Sequence, residues 1–228
     1  MVVSSIAGLV SQIIPAEHIP SFLQNGHYFA PCSSFVDLME FRYGYCLFNS
    51  VAFTAAQMQT CIQGTFKNSD INRCIESAYV SCWTRRRPEK AERCAMWEVY
   101  GRGEAAIQVT VEAQKFFAYV KARHPQCIGG RVTYAGQPSM VDPEMWELGS
   151  VTQEQRENCD LFFHKHGFYA WENEFRTVIF ASERTLVPIS DELIESVTIS
   201  PFGKLSAETE RSLRERFNTR VSPSELIV

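Results

Sequence analysis

Between residues 70 and 134 the apolar side chains switch repeatedly between helical and strand spacing, which restricts the chain to folds that mix helices with a sheet. Ile71, Cys74, Ile75 and Ala78 mark one side of a 3.6-residue period, with Asn68 or Ser69 as its cap. Ala78-Tyr79-Val80-Ser81-Cys82-Trp83 then reads as a strand, and Glu92 to Tyr100 as a short helix with Met96 and Tyr100 in register. Gly101 and Gly103 end that helix, and Ala105-Ala106-Ile107-Gln108-Val109 alternates as a strand does. Gln114 to Val120 is helical in pattern, Gly129 and Gly130 predict a turn, and Arg131-Val132-Thr133-Tyr134 predicts another strand. Strands separated by helices of mixed length favour α+β over a regular βαβ series.

The flanking segments extend this pattern. Residues 1–20 read as an N-terminal arm or short strand punctuated by Pro15 and Pro20, and Ser21 to Asn25 as a short helix closed by Gly26. Tyr28 and Phe29 begin an extended piece that Pro31 stops, and Ser33 or Ser34 caps a helix with Asp37 in its first turn. Tyr45 to Phe53 predicts a strand or hairpin, and Thr54 to Ile62 a helix. Pro138 to Gly149 reads as a loop, Ser150 with Gln153 as a capping box opening a helix through Phe163, and Tyr169 to Phe180 as extended. Val197-Thr198-Ile199 is the last predicted strand, after which Ser206 caps a charged helix that buries Leu213 and Phe217. With no linker and no repeat, the expectation is one α+β domain over 1–228. Its mixed or mainly antiparallel sheet, packed by helices, is centred on strands near 79–84, 105–110, 131–135 and 172–180.

Composition narrows the function. Of the 228 residues 45% are hydrophobic, enough for a full core, and the formal charge is −4. The compact basic cluster Arg85-Arg86-Arg87 is followed by Glu89 and Glu92 and reads as a solvated loop, so nucleic-acid binding is not expected. No apolar run approaches the roughly 18 residues of a membrane span. Ile6 to Val10 is too short, and lacks a basic lead, for a signal peptide, which makes a cytoplasmic location the expectation. The 8 cysteines show no Cys-x-x-Cys pair, and most stand among apolar residues, so buried reduced thiols are expected and no metal site is assigned.

Three segments carry a resemblance: FLQNGHYFAPCSSFVDLMEF at 22–41, YVSCWTRRRPEKAERCAMWEVYGRGEAAIQV at 79–109, and the run from Lys165 through FYAWENEFR at 168–176, with VTISPF at 197–202 in support. Together they resemble an uncharacterised family of prokaryotic and phage proteins, a domain of unknown function marked by Cys-Trp, Met-Trp-x-x-Tyr and Glu-Asn-Glu-Phe-Arg. The chain departs from the family in having Leu38 where many relatives carry Pro, and Val99 before Tyr100 where many carry His. The resemblance implies a whole-domain match and a setting in phage defence or mobile elements. It implies no named chemistry.

The strongest local candidate is Glu172-Asn173-Glu174-Phe175-Arg176. In a strand, Glu172, Glu174 and Arg176 share a face. That face can hold a polar ligand, with Glu174 and Glu172 as catalytic acids and Arg176 as ligand-binding residue, or it can be an ion network closing a sheet edge. The Glu-x-Glu spacing is similar to that of some ADP-ribosyltransferases, in which a glutamate stabilises positive charge at the anomeric carbon of NAD. In that reading Arg42 and Ser81 fill the earlier positions, although Cys82 and Trp83 do not reproduce the Ser-Thr-Ser strand.

Trp97 and Tyr100 either wall a pocket for a planar ligand or seal helix to sheet. Cys82 reads as a nucleophile with His27, His124, His164 or His166 as base, or as a strand-core thiol. His164 and His166 share a face if extended, without a third ligand at a telling interval. Two functions follow: a regulatory or defence-associated domain that binds a protein or small nucleotide-like partner, and a nucleotide-utilising enzyme with NAD as cofactor.

Overall fold

The computed structural model describes residues 8–35, 41, 69–85, 94–134, 162–165, 167–181 and 186–226. The predicted strand at 45–53, the helices at 54–62 and from Ser150, the 138–149 loop, Arg42, Arg86, Arg87 and His166 lie outside the described residues.

In chain order the regular elements are β1 (Leu9–Pro15), α1 (Ile19–Asn25), β2 (His27–Tyr28), β3 (Ala30–Pro31), α2 (Ser69–Glu76), β4 (Ala78–Arg85) and α3 (Cys94–Tyr100). They continue with β5 (Ala106–Glu112), α4 (Ala113–Arg123), β6 (Ile128–Arg131), β7 (Thr133–Tyr134), β8 (His164–Lys165), β9 (Glu174–Phe180), β10 (Leu186–Val187), β11 (Ile194–Ile199), α5 (Ala207–Phe217) and β12 (Val221–Pro223). The fold is α+β, with a mixed and mostly antiparallel sheet packed against helices. The chain divides into two compact units: one built from residues within 29–82 and 120–185, the other from those within 5–28, 83–119 and 186–228.

The second unit is organised by β5. β1 runs antiparallel to it from Leu9↔Glu112 to Pro15↔Ala106, inside the segment read as an arm or short strand. β11 pairs antiparallel on the other side, and β12 joins β11 in parallel. The register sets Val10, Gln12, Ile14, Ile107, Val109, Val111 and Val197 on one face and Ser11, Ile13, Ala106, Gln108, Thr110 and Thr198 on the other, where the Ser11 and Thr110 hydroxyls lie 2.9 Å apart. His27 sits in an aromatic box, its ring 5.0 Å from Trp83 and 5.6 Å from Phe116.

Local signals explain the helices of this unit. Pro20 takes the first turn of α1, where its missing N–H costs nothing, and Gly26 ends it at φ +93°. A Cβ on Gly26 would run into Val187 O and come within 2.5 Å of Pro188 Cα. Ser206 caps α5, its hydroxyl accepting from Thr209 N at 3.1 Å. Glu208 and Glu210 stand in the first turn and Arg214 and Arg216 in the last, each matched to the helix dipole. Leu213 and Phe217 are buried as the spacing predicts.

The first unit carries β3 against β4 (Ala30↔Val80), β9 beside β4, and β6 antiparallel to β9 from Ile128↔Val178 to Arg131↔Phe175. β7 and β8 form a short parallel pair, Thr133 opposite His164. Its core gathers Phe41, Cys74, Ile75, Ala78, Val80, Ile128, Phe162, Phe163 and Val178. Three expectations are corrected here. Gly129 and Gly130 make no turn; they are strand residues opposite Thr177 and Arg176, because ladder pairing overrides the turn bias of a glycine pair. The helix expected to run through Phe163 does not include that residue, which is a bend, and the chain is extended at His164. The extended run expected from Tyr169 begins only at Glu174; Gly167–Tyr169 is a 3-10 turn.

Candidate functional site

The segment before β9 folds back on itself. Ala170 N–H donates to Gly167 O at 3.0 Å and Glu172 N–H to Tyr169 O at 2.9 Å, closing two successive turns. Asn173 follows at φ +49°, a left-handed conformation that asparagine tolerates better than most residues. The strand begins one residue later. Glu174 N–H donates to Tyr134 Oη at 2.9 Å, and Val132 N–H donates to Glu174 O at 3.0 Å. Glu172 therefore belongs to a turn, and only Glu174 and Arg176 share a strand face.

Side chains nevertheless bring all three together, around a lysine. Lys165 Nζ donates to Glu172 Oε2 at 2.6 Å and to Glu174 Oε1 at 2.9 Å. Arg176 donates Nε to Glu174 Oε2 at 2.7 Å and Nη1 to Phe162 O at 2.8 Å. Both oxygens of Glu174 thus accept from a cation. The ammonium of Lys165 also stands 4.5 Å from the ring centre of Tyr169, and the guanidinium of Arg176 lies 5.3 Å from that of Phe41. Relative exposure is 9% for Lys165, 3% for Glu172, 5% for Glu174 and 0% for Arg176, so two acids and two bases balance each other out of water.

The acids differ in what surrounds them. Burial, then the hydrogen bond and charge of Glu174, push the Glu172 carboxyl up to about 7 against the opposing pull of Lys165. Burial also acts upward on Glu174, but Arg176, the hydrogen bond from Glu172 and the Lys165 charge outweigh it and hold that carboxyl below its ordinary range. The phenol of Tyr134 is pushed up by burial and by the charge of Glu174. Chemically, Glu174 stays an anion near neutral pH, and Glu172 is the member of the pair whose charge the surroundings disfavour.

The other predicted residues fall elsewhere. Ser81 is buried in β4 of the first unit, and Cys82 is half-buried against that unit's core. Arg42 lies outside the described residues. Trp97 and Tyr100 belong to α3 in the second unit, where Trp97 is fully buried with Ile13, Met96 and Ala106 and Tyr100 is 38% exposed. The indole N–H of Trp97 has no partner among the described residues. Burial pulls His27 down to about 3, and burial with the Arg123 charge lowers His124. Among the described residues no three His, Cys, Asp or Glu side chains converge as a metal site requires. No described helix is long and apolar enough to cross a membrane.

Lys165 and Tyr134 are the members that sequence reasoning missed as site residues. A lysine between two histidines reads as solvated, and nothing local marks its place between two acids. The fold and the site define an α+β chain with a buried four-charge cluster. No family model, no curated protein and no solved structure matches it.

Proposed function

We propose that the chain is a non-catalytic binding domain of regulatory type, with a protein as the partner its surface favours. The observation that supports this reading is the internal use of the acids: both oxygens of Glu174 and two edges of Arg176 are engaged within the chain. An acid–arginine pair engaged within the chain has fewer donors and acceptors left for a ribose or a phosphate. What the cluster anchors instead is the 167–171 turn, which presents Phe168 at 83% exposure and Trp171 at 36%. Exposed aromatics on a braced turn are the composition of a protein contact. The defence-associated setting rests on the resemblance to the prokaryotic and phage family and is proposed on that basis.

A nucleotide-utilising enzyme, ADP-ribosyltransferase-like with NAD, is the second reading. Glu172 supports it, since a carboxyl at about 7 lies in the range that serves proton transfer. The two readings separate in one experiment: thermal shift with NAD and ATP, together with nicotinamide release from NAD, on wild type and Glu172→Gln. The binding reading expects neither shift nor release. Release that disappears in a folded Glu172→Gln replaces it with the enzyme. For the partner, crosslinking in the source cells is expected to yield a defined protein that the Phe168→Asp variant no longer captures. Identical crosslinks from both chains remove the aromatic turn from the proposal.

A further inference from the structure

The seat of α3 on the sheet of the second unit contains two buried polar atoms of complementary kind. Trp97 is fully buried, and its indole N–H has no hydrogen-bond partner among the described residues. The same holds of Gln108 Oε1, on a side chain of a residue only 7% exposed. The ladder sets the two on one patch. Gln108 stands directly opposite Ile13 of β1 and two residues along β5 from Ala106, on the same face as both. Ile13, Ala106 and Met96 are the buried residues that cluster with Trp97, and Phe202 and Leu226 pack against them with apolar side chains. The end of the helix is held close there: a Cβ on Gly101 would lie 2.6 Å from the Trp97 carbonyl oxygen and 3.4 Å from Ala106 Cβ.

An indole N–H only donates and an amide oxygen only accepts, so each could satisfy the other. No bond joins them, which puts them farther apart, or at a poorer angle, than a direct hydrogen bond allows. Leaving both unmet among apolar side chains is costly, and proteins meet such demands with ordered internal water. We propose that a buried water molecule bridges Trp97 Nε1 and Gln108 Oε1, accepting from the indole and donating to the amide, and so forms part of the joint between α3 and β5. Water suits the patch better than an ion does, because its donor and its acceptor are both neutral and none of the residues that enclose Trp97 is charged. The site is independent of the Glu172–Glu174 cluster, which belongs to the first unit, and stands whatever the chain binds.

Proton NMR with nitrogen-labelled indoles tests it, the Trp97 signal being assigned from Trp97→Phe. Wild type is expected to give a rotating-frame cross-peak between Trp97 Hε1 and water, of the sign that dipolar contact produces and opposite to that of proton exchange. In Gln108→Met, which keeps the length of the side chain without its acceptor, the peak is expected to disappear. Thr198→Val, which removes the hydroxyl opposite Gln108 on β11, is expected to keep it. No cross-peak in wild type, or an equal one in Gln108→Met, overturns the bridge. So does its loss in Thr198→Val, which would trace the signal to relay through that hydroxyl. If Gln108→Met fails to fold, a high-resolution crystal structure of the wild type decides. A water within hydrogen-bond distance of both atoms upholds the bridge; no water there, or a direct contact between the two side chains, overturns it.

Discussion

Arg176 and Glu174 lie two residues apart on one strand, and Nε of the first donates to Oε2 of the second at 2.7 Å with the guanidinium wholly out of water. Such a pair contributes little compared with a well-packed apolar replacement, but losing one member leaves the other charge stranded. Glu174→Gln takes the carboxylate from Arg176 and leaves Lys165 with Glu172. Its expected cost is about 3–5 kcal/mol, read as a lower urea midpoint with the slope unchanged. A loss below about 1 kcal/mol would show the cluster reached by water, as an exposed pair is.

The two acids give opposite pH dependences. Glu172, raised from its ordinary 4.5 to about 7, contributes stability that is full below the ordinary value and is lost as pH rises through about 7. Glu174, held below its ordinary range, contributes stability present above that range and lost as pH falls. Urea midpoints measured across pH should decline from weakly acid to neutral solution. In Glu172→Gln that decline should flatten, while the loss at strongly acid pH remains. A wild-type midpoint that climbs over the same interval contradicts the assignment.

His27 makes a separate prediction in the second unit. Burial between Trp83 and Phe116 lowers it to about 3, so its contribution is complete above 6.5 and is lost as pH falls from 6.5 through about 3. The loss is about 1.4 kcal/mol for each pH unit within that window. Proton NMR of the imidazole should show no titration between about pH 8 and about pH 5, since an ordinary histidine titrates near 6.5. A His27 resonance moving near 6.5 would mean that water enters the box.

Gly26 is predicted to tolerate no side chain. Its φ of +93° disfavours any L residue, and an added Cβ would meet the Val187 carbonyl and Pro188 where β10 pairs with β2. Gly26→Ala should cost about 1–3 kcal/mol from backbone strain alone, with the overlap added to it. Thermal unfolding measures this, with Gly103→Ala as the control: that glycine also has positive φ, at +64°, but open space around it. Equal losses in both would assign the whole effect to φ.

Signals carried by neighbouring residues proved legible. Pro20 and Gly26 bracket α1, Ser206 opens α5, and the switch from period 2 to period 3.6 places β4, α3, β5 and α4 within a few residues. Signals that depend on pairing were not. Gly129 and Gly130 carry the composition of a turn and lie in a strand, because β9 supplies a ladder whose hydrogen bonds outweigh a local preference.

The candidate site divides along the same line. Glu172, Glu174 and Arg176 stand out in the sequence as charges within a strand-like run, and that much the amino acids by themselves determined, together with the α+β class and the helix ends. Their ion pairing, Lys165 as the bridge, Tyr134 on the Glu174 amide and the carbonyl of Phe162 on Arg176 were decided by tertiary structure. A charged side chain becomes buried or solvated according to what distant segments bring against it. Spacing along the chain records the face a residue points to, not the partner it finds there.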